Sequence, residues 1–219
     1  MLLKWYGHSC FLLTDSNGVS ILTDPFSPQT MYELPKISAS AVTVSHDHSD
    51  HNYINAVSGS TCLIRTAEKF DIGGVGIEGV KTFHDPFRGT VRGENIMFVY
   101  EMDGMRILHC GDLGEIPPIE AINSLGRIDI LLVPIGAIYT IDDLQARELV
   151  DMLEPEMVIP MHYKNPKLSF ELCPLEPFAE GMKQRNGKWS IKWIAGDELT
   201  VTSDTLISGS VVILKPFEP

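Results

Sequence analysis

The stretch Val44-Ser45-His46-Asp47-His48-Ser49-Asp50-His51 decides how the rest of this 219-residue chain is read. The run Ala-Val-Thr-Val at 41–44 reads as a strand, and the segment leaving it spells His-x-His-x-Asp-His. In extended backbone residues i and i+2 share a face, so His46 and His48 can grip one ion while the turn that follows aims Asp50 and His51 at a second. By composition such a pattern would arise in roughly one chain in two thousand. Three imidazoles and two carboxylates between His46 and His51 are poor choices for a merely solvated loop.

Strand-like runs at 2–6, 10–14 and 19–22, separated by Gly-His-Ser and Asp-Ser-Asn-Gly, predict an antiparallel meander ahead of the loop. Beyond it, strands are expected at 61–65, 76–83, 96–101 and 106–109. The second half then predicts a helix over 118–125, a buried strand at 129–133, a helix over 142–153 with Thr140 near its start, and a strand at 157–160. Strands at 190–194, 199–202 and 210–214 close the chain. No Gly/Ser/Pro-rich linker and no tandem repeat intervenes, so one mixed α/β domain over 1–219 is expected.

Hydrophobic residues at 44% and charged residues at 21% are the balance of a folded globular protein. With 17 Lys plus Arg against 29 Asp plus Glu, the net charge of -12 opposes phosphate backbones and argues against nucleic acid as a partner. No apolar run approaches the ~18 residues of a membrane span. The N-terminus Met-Leu-Leu-Lys-Trp lacks a signal-peptide pattern, so the cytoplasm is the expected location. Cys10, Cys62, Cys110 and Cys173 are far apart, which fits thiols in a reducing compartment better than disulfides or a zinc ribbon.

The other landmarks occur in a fixed order around the loop: Gly7-His8-Ser9, Thr23-Asp24-Pro25, His84 in Thr-Phe-His-Asp, Asp112 in His-Cys-Gly-Asp-Leu-Gly, and His162 in Ile-Pro-Met-His-Tyr. In these residues, and over nearly its whole length, the chain resembles the metallo-β-lactamase superfamily. The spellings look most like its small cytoplasmic branch, which includes the ascorbate-6-phosphate lactonases. That resemblance implies an αββα sandwich: two mixed sheets packed face to face, helices outside, and the metal site at one edge. It further implies one metal on His46, His48 and His84, a second on Asp50, His51 and His162, and Asp112 bridging both together with a hydroxide. The nucleophile would then need no serine or cysteine. Five imidazoles and two carboxylates suit zinc, while manganese or iron is also accommodated.

His109 competes with His84 for the first ion. It lies three residues before Asp112, and on an extended strand the two would face opposite ways, which favours His84 and leaves His109 in the core or behind a ligand. Asp24 supports the metal loop in the family, though a turn-forming Asp before proline reads equally well from the residues. His8 has the same two readings, and Cys110 reads as a small buried residue near the site. Arg88, Arg92 and Lys164 are cations near the centre in sequence that could clamp an anionic substrate group or simply be solvated. Tyr163 could donate to an oxyanion and so share catalysis with Asp50 and Asp112, or be structural.

The expected function is therefore a dinuclear metal hydrolase of a small anionic ester, lactone or phosphodiester, with homo-oligomerisation left open. The competing readings are a non-catalytic metal-binding protein and a diiron redox protein on the same fold. The latter resembles His-x-Glu-x-Asp-His, whereas this chain has His48. The absence of a signal peptide and of a basic RNA-binding arm disfavours secreted β-lactamases and tRNA nucleases. A short, strand-rich region after His162 leaves no room for the helical substrate domain of glyoxalase-type thioesterases.

Overall fold

The structure, a computed structural model, describes residues 1–59, 61–185 and 187–219. In chain order the strands and helices are β1 (Leu2–Gly7), β2 (Cys10–Thr14), β3 (Ser20–Thr23), β4 (Ile37–Ser38), β5 (Ala41–Thr43), β6 (Val57–Ser58), β7 (Cys62–Ile64), β8 (Lys69–Ile72), β9 (Val75–Phe83), β10 (Glu94–Met102), β11 (Met105–His109), α1 (Ile119–Ser124), β12 (Ile130–Pro134), α2 (Asp143–Leu153), β13 (Met157–Met161), α3 (Glu176–Lys183), β14 (Ser190–Trp193), β15 (Glu198–Thr200) and β16 (Ser210–Ile213).

The expected meander forms as β1-β2-β3, all antiparallel, and β3 then pairs in parallel with β5. These strands belong to a six-stranded mixed sheet of order β15-β1-β2-β3-β5-β7, and the other main sheet has eight strands, β14-β16-β13-β12-β11-β10-β9-β8. In the second sheet β9, β10 and β11 are antiparallel while β11, β12 and β13 run parallel. The parallel strand Ile130–Pro134 is buried on both faces and accordingly reads as an unbroken apolar run.

One core joins the two sheets. Leu3, Trp5, Phe11 and Ile21 of the first pack with Ile77, Phe98, Tyr100 and Ile107 of the second. Within it Thr43 Oγ1 on β5 and Tyr100 Oη on β10 form a 2.7 Å hydrogen bond from sheet to sheet. That bond lies directly beneath the loop 44–51, because Thr43 is the last residue of β5.

Helix α2 starts at an Asp142 N-cap, as the expected span 142–153 has it, with Thr140 just ahead. The Asp142 carboxylate accepts from Gln145 N and the Gln145 side chain accepts from the Asp142 backbone, a reciprocal cap. Helix α3 departs from the strand-rich expectation after His162. Pro177 sits in its first turn, where a missing N–H costs nothing, and Phe178, Ala179 and Met182 form its buried face. Strand β8 was also not expected. It is an edge strand with only Phe70 and Ile72 half-buried. Among the described residues no helix is long and apolar enough to cross a membrane.

Tyr100→Phe should leave the buried Thr43 hydroxyl without its partner and cost about 1–3 kcal/mol in urea unfolding. Unchanged stability would mean that the bond between the sheets contributes nothing.

Candidate metal centre

Six strands deliver the site by ending. His8 follows β1, Asp24 follows β3, the loop 44–51 follows β5, His84 follows β9, Asp112 comes three residues after β11, and His162 follows β13. Three of these residues, His8 (φ 52), Asp24 (φ 37) and His162 (φ 52), adopt left-handed backbone that non-glycine residues rarely take. The chain turns sharply at each of them, and each side chain is buried.

The side chains converge in three overlapping groups, His46/His48/His84, His8/Asp50/His51/His162 and His46/His51/Asp112, with donor atoms in each lying within 4.8 Å of one another. Asp112 is the common point. Its Oδ2 lies 3.1 Å from His162 Nε2, 3.2 Å from His51 Nε2, 3.5 Å from His84 Nε2 and 3.9 Å from His46 Nε2. His46 Nε2 and Asp112 Oδ1 are buried without any hydrogen-bond partner. Leaving such atoms unsatisfied typically costs about 1–3 kcal/mol each, a cost that a coordinated cation removes. A nitrogen-rich donor set with two carboxylates fits one or two divalent transition-metal ions.

The electrostatics agree with that fit. Burial lowers the His84 pKa to about 4 despite the pull of Asp112, and burial together with His162 lowers His8 to about 4, so both rings are neutral and can offer lone pairs. Asp112 stays ionised, because His162 and His51 outweigh its burial. His51 is pushed upward, burial being outweighed by Asp112 and Asp50, so an ion bound there would displace a proton.

A layer behind these groups orients them. Asp24 accepts from Ser45 N (2.7 Å), Ser45 Oγ (2.6 Å) and His51 Nδ1 (3.0 Å), which places the His51 Nδ1 proton away from the centre and turns Nε2 toward it. Asn95 does the same for Asp112: its Oδ1 accepts from Asp112 N (3.0 Å), while its Nδ2 donates to Thr82 Oγ1 (2.8 Å) and Cys110 O (2.9 Å). Ser45 and Asn95 escaped the sequence reading. The available signal was Asn95 itself, one amide just ahead of the apolar run 96–100. Gly111 permits the approach. Its φ is +57, and a Cβ there would lie 2.4 Å from Asn95 Oδ1 and 2.6 Å from Ser45 Cβ.

Other expected residues fall into two sets. His8 is brought in, its Nε2 standing 3.2 Å from both Asp50 Oδ2 and His51 Nε2. His109 stays out: its Nε2 meets Ser9 O at 2.8 Å and its Nδ1 accepts from Gly111 N at 3.1 Å. Strand parity is not what separates it from Asp112, because β11 stops at His109 and Gly111 then turns the chain.

A cleft of about 430 Å³ opens beside the centre, lined by His48, Asp50, His84 and Asp112 together with Arg92, Tyr139 and Phe170. Arg88, Lys164 and Tyr163 are not among its lining residues. Arg88 lies in a separate groove with Lys81, Phe83 and Glu115. Exposed Lys164 pairs with Glu171 at 2.9 Å. Once the left-handed turn at His162 has aimed the imidazole inward, Tyr163 packs its ring against Trp5, 5.7 Å between centroids, and lines a groove with Leu175 and Trp193.

Asp24→Asn keeps the shape but cannot accept from all three donors. Metal affinity should fall about 10–100-fold with the fold retained, as read by competition with a chelator and by circular dichroism. Wild-type affinity in this variant would show that Asp24 is only a turn residue.

Comparison with known proteins places this geometry. Residues 2–162 match the family described as the beta-lactamase superfamily domain. A UPF0173 metal-dependent hydrolase of Thermoplasma acidophilum is 32% identical over 199 residues, covering 79% of this chain and 86% of that one. A crystal structure from Thermotoga maritima, of a candidate Zn-dependent hydrolase of the metallo-beta-lactamase superfamily, superposes with a TM-score of 0.80 at 35% identity, covering 97% of this chain and 98% of that one. The metallo hydrolase Igni18 of Ignicoccus hospitalis has a TM-score of 0.68 at 21% identity, covering 99% and 96%, a likeness that speaks to fold alone. Two mixed sheets with a His/Asp cluster at their strand ends have the metallo-beta-lactamase fold, and the chain belongs to the beta-lactamase superfamily.

Proposed function

We propose that this protein is a dinuclear metal-dependent hydrolase of small anionic esters, lactones or phosphodiesters, built as a single domain over 1–219. The observation that carries the reading is the position of Asp112, whose Oδ2 lies within 3.1–3.9 Å of imidazoles from both ligand groups. His46, His48 and His84 would hold one ion, Asp50, His51 and His162 the other, and Asp112 both. Two divalent ions, zinc by the preponderance of imidazole, supply Lewis acidity and bring the pKa of water toward ~7 when bound.

The remaining chemistry belongs to the chain. Asp24 and Asn95 keep His51 and Asp112 aimed, so the centre needs no rearrangement when substrate arrives. Arg92 is the cation lining the cleft, and its position supports an anionic substrate. Tyr139 and Phe170 offer an aromatic wall, their rings 5.9 Å apart, for the body of a small molecule. All four cysteines are free, which supports a reducing compartment.

Two measurements test this reading. Metal analysis after zinc or manganese loading should find about two ions per chain. A screen of the loaded protein against lactones, phosphodiesters and thioesters should find turnover. On the best substrate Asp112→Asn should weaken both ions and lower kcat/KM by at least about 100-fold, since a charge and a shared oxygen ligand are lost together. An Asp112→Asn protein with wild-type metal content and turnover would overturn the assignment.

A further inference from the structure

Asp85, the residue after His84, is shut off from solvent although it lies in a surface loop. Its carboxylate collects four backbone N–H groups: Oδ1 accepts from Phe87 (2.8 Å) and Gly89 (3.0 Å), Oδ2 from Val91 (3.0 Å) and Arg92 (2.7 Å). Side-chain burial does not hold this loop, since Phe87 and Val91 are 64% and 65% exposed. The carboxylate is thus its internal anchor. At the base of the loop a Cβ on Gly114 would lie 2.2 Å from both Asp85 N and the His84 carbonyl carbon, so the segment carrying Asp112 clasps the His84–Asp85 peptide directly.

At the far end of the loop is Arg92. Its Nη2 donates to Ile138 O at 3.1 Å, and its guanidinium sits over the Tyr139 ring, 5.5 Å from the centroid. That leaves most of its N–H groups free on the cleft that His48, His84 and Asp112 also line. Arg65, Arg106, Arg127, Arg147 and Arg185 each pair with a carboxylate. Among the described residues Arg88 and Arg92 have none, in a chain whose net charge is -12, and of the two it is Arg92 that lines the cleft beside the centre.

We propose that Asp85 is a positioning residue that locks the loop so that Arg92, held over Tyr139, binds a second anionic group of the substrate, remote from the group that meets the metal centre. The substrate class that follows is a molecule with two anionic or oxygen-rich ends, one for the ions and one, a carboxylate or phosphate, for the guanidinium. This rests on the metal-centre reading above and deepens it.

The test compares glutarate, which has two carboxylates, with butyrate, which has one, binding to the metal-loaded protein by calorimetry. Wild type should bind glutarate at least about tenfold more tightly, the worth of one charge-assisted contact. Arg92→Gln, at a half-exposed position, should lose that preference while leaving butyrate affinity and metal content unchanged. Asp85→Asn should lose most of it with Arg92 still present, and adding Arg92→Gln to it should cost little more. A purely structural role for Asp85 would instead weaken both ligands and metal content alike. Equal affinity of wild type for the two ligands, or an undiminished glutarate preference in either variant, would overturn the proposal. If glutarate is preferred through Arg92 but no ester, lactone or phosphodiester is turned over, the hydrolase reading fails and the anion site stands.

Discussion

The buried carboxylate of Asp112 among four imidazoles is the constraint on which the rest of this structure depends. One oxygen faces His46, His51, His84 and His162, and the other is buried with no partner at all. A fold tolerates such a group only if something repays its desolvation, and positive charge among the imidazoles, a proton on His51 or a bound cation in its place, does so. The sandwich is organised to deliver these groups to one place. Strands from both sheets end at the same edge, and at three of those ends a non-glycine residue takes left-handed backbone.

Precision then comes from residues that never reach the centre. Asp24 and Asn95 each tie a ligand-bearing segment to its neighbour through three hydrogen bonds. Gly111 and Gly114 remove the side chains that would keep those segments apart. Asp85 extends the same device outward, from a ligand's neighbour to the cation at the cleft.

Much of this was legible in the residues, for physical reasons that differ by element. Period-2 patterning identified most strands, because one face or both are buried; β8, half-exposed at an edge, gave too weak a contrast. Helix α3 was hidden by Pro177 and Gly181, two residues that punctuate most helices but here occupy the first turn and a close packing point against Arg147. The loop 44–51 stood out because candidate metal ligands are titratable and closely spaced, and the structure gathers His46, His48, Asp50 and His51 into groups that could hold an ion. The placement of Arg88, Lys164 and Tyr163 away from the cleft was not legible, because proximity in sequence to a candidate ligand says nothing about direction once a left-handed turn intervenes, as it does at Arg88 and His162. Asp85 was invisible as an anchor, since its partners are backbone amides that every sequence possesses.

The central claim is that Asp112 joins two metal sites, and anomalous diffraction from zinc-grown crystals tests it most directly. The account predicts two peaks about 3.5–4 Å apart, one against His46, His48 and His84 and the other against Asp50, His51 and His162, with the Asp112 carboxylate touching both. A single peak, or two peaks of which Asp112 touches only one, would contradict it.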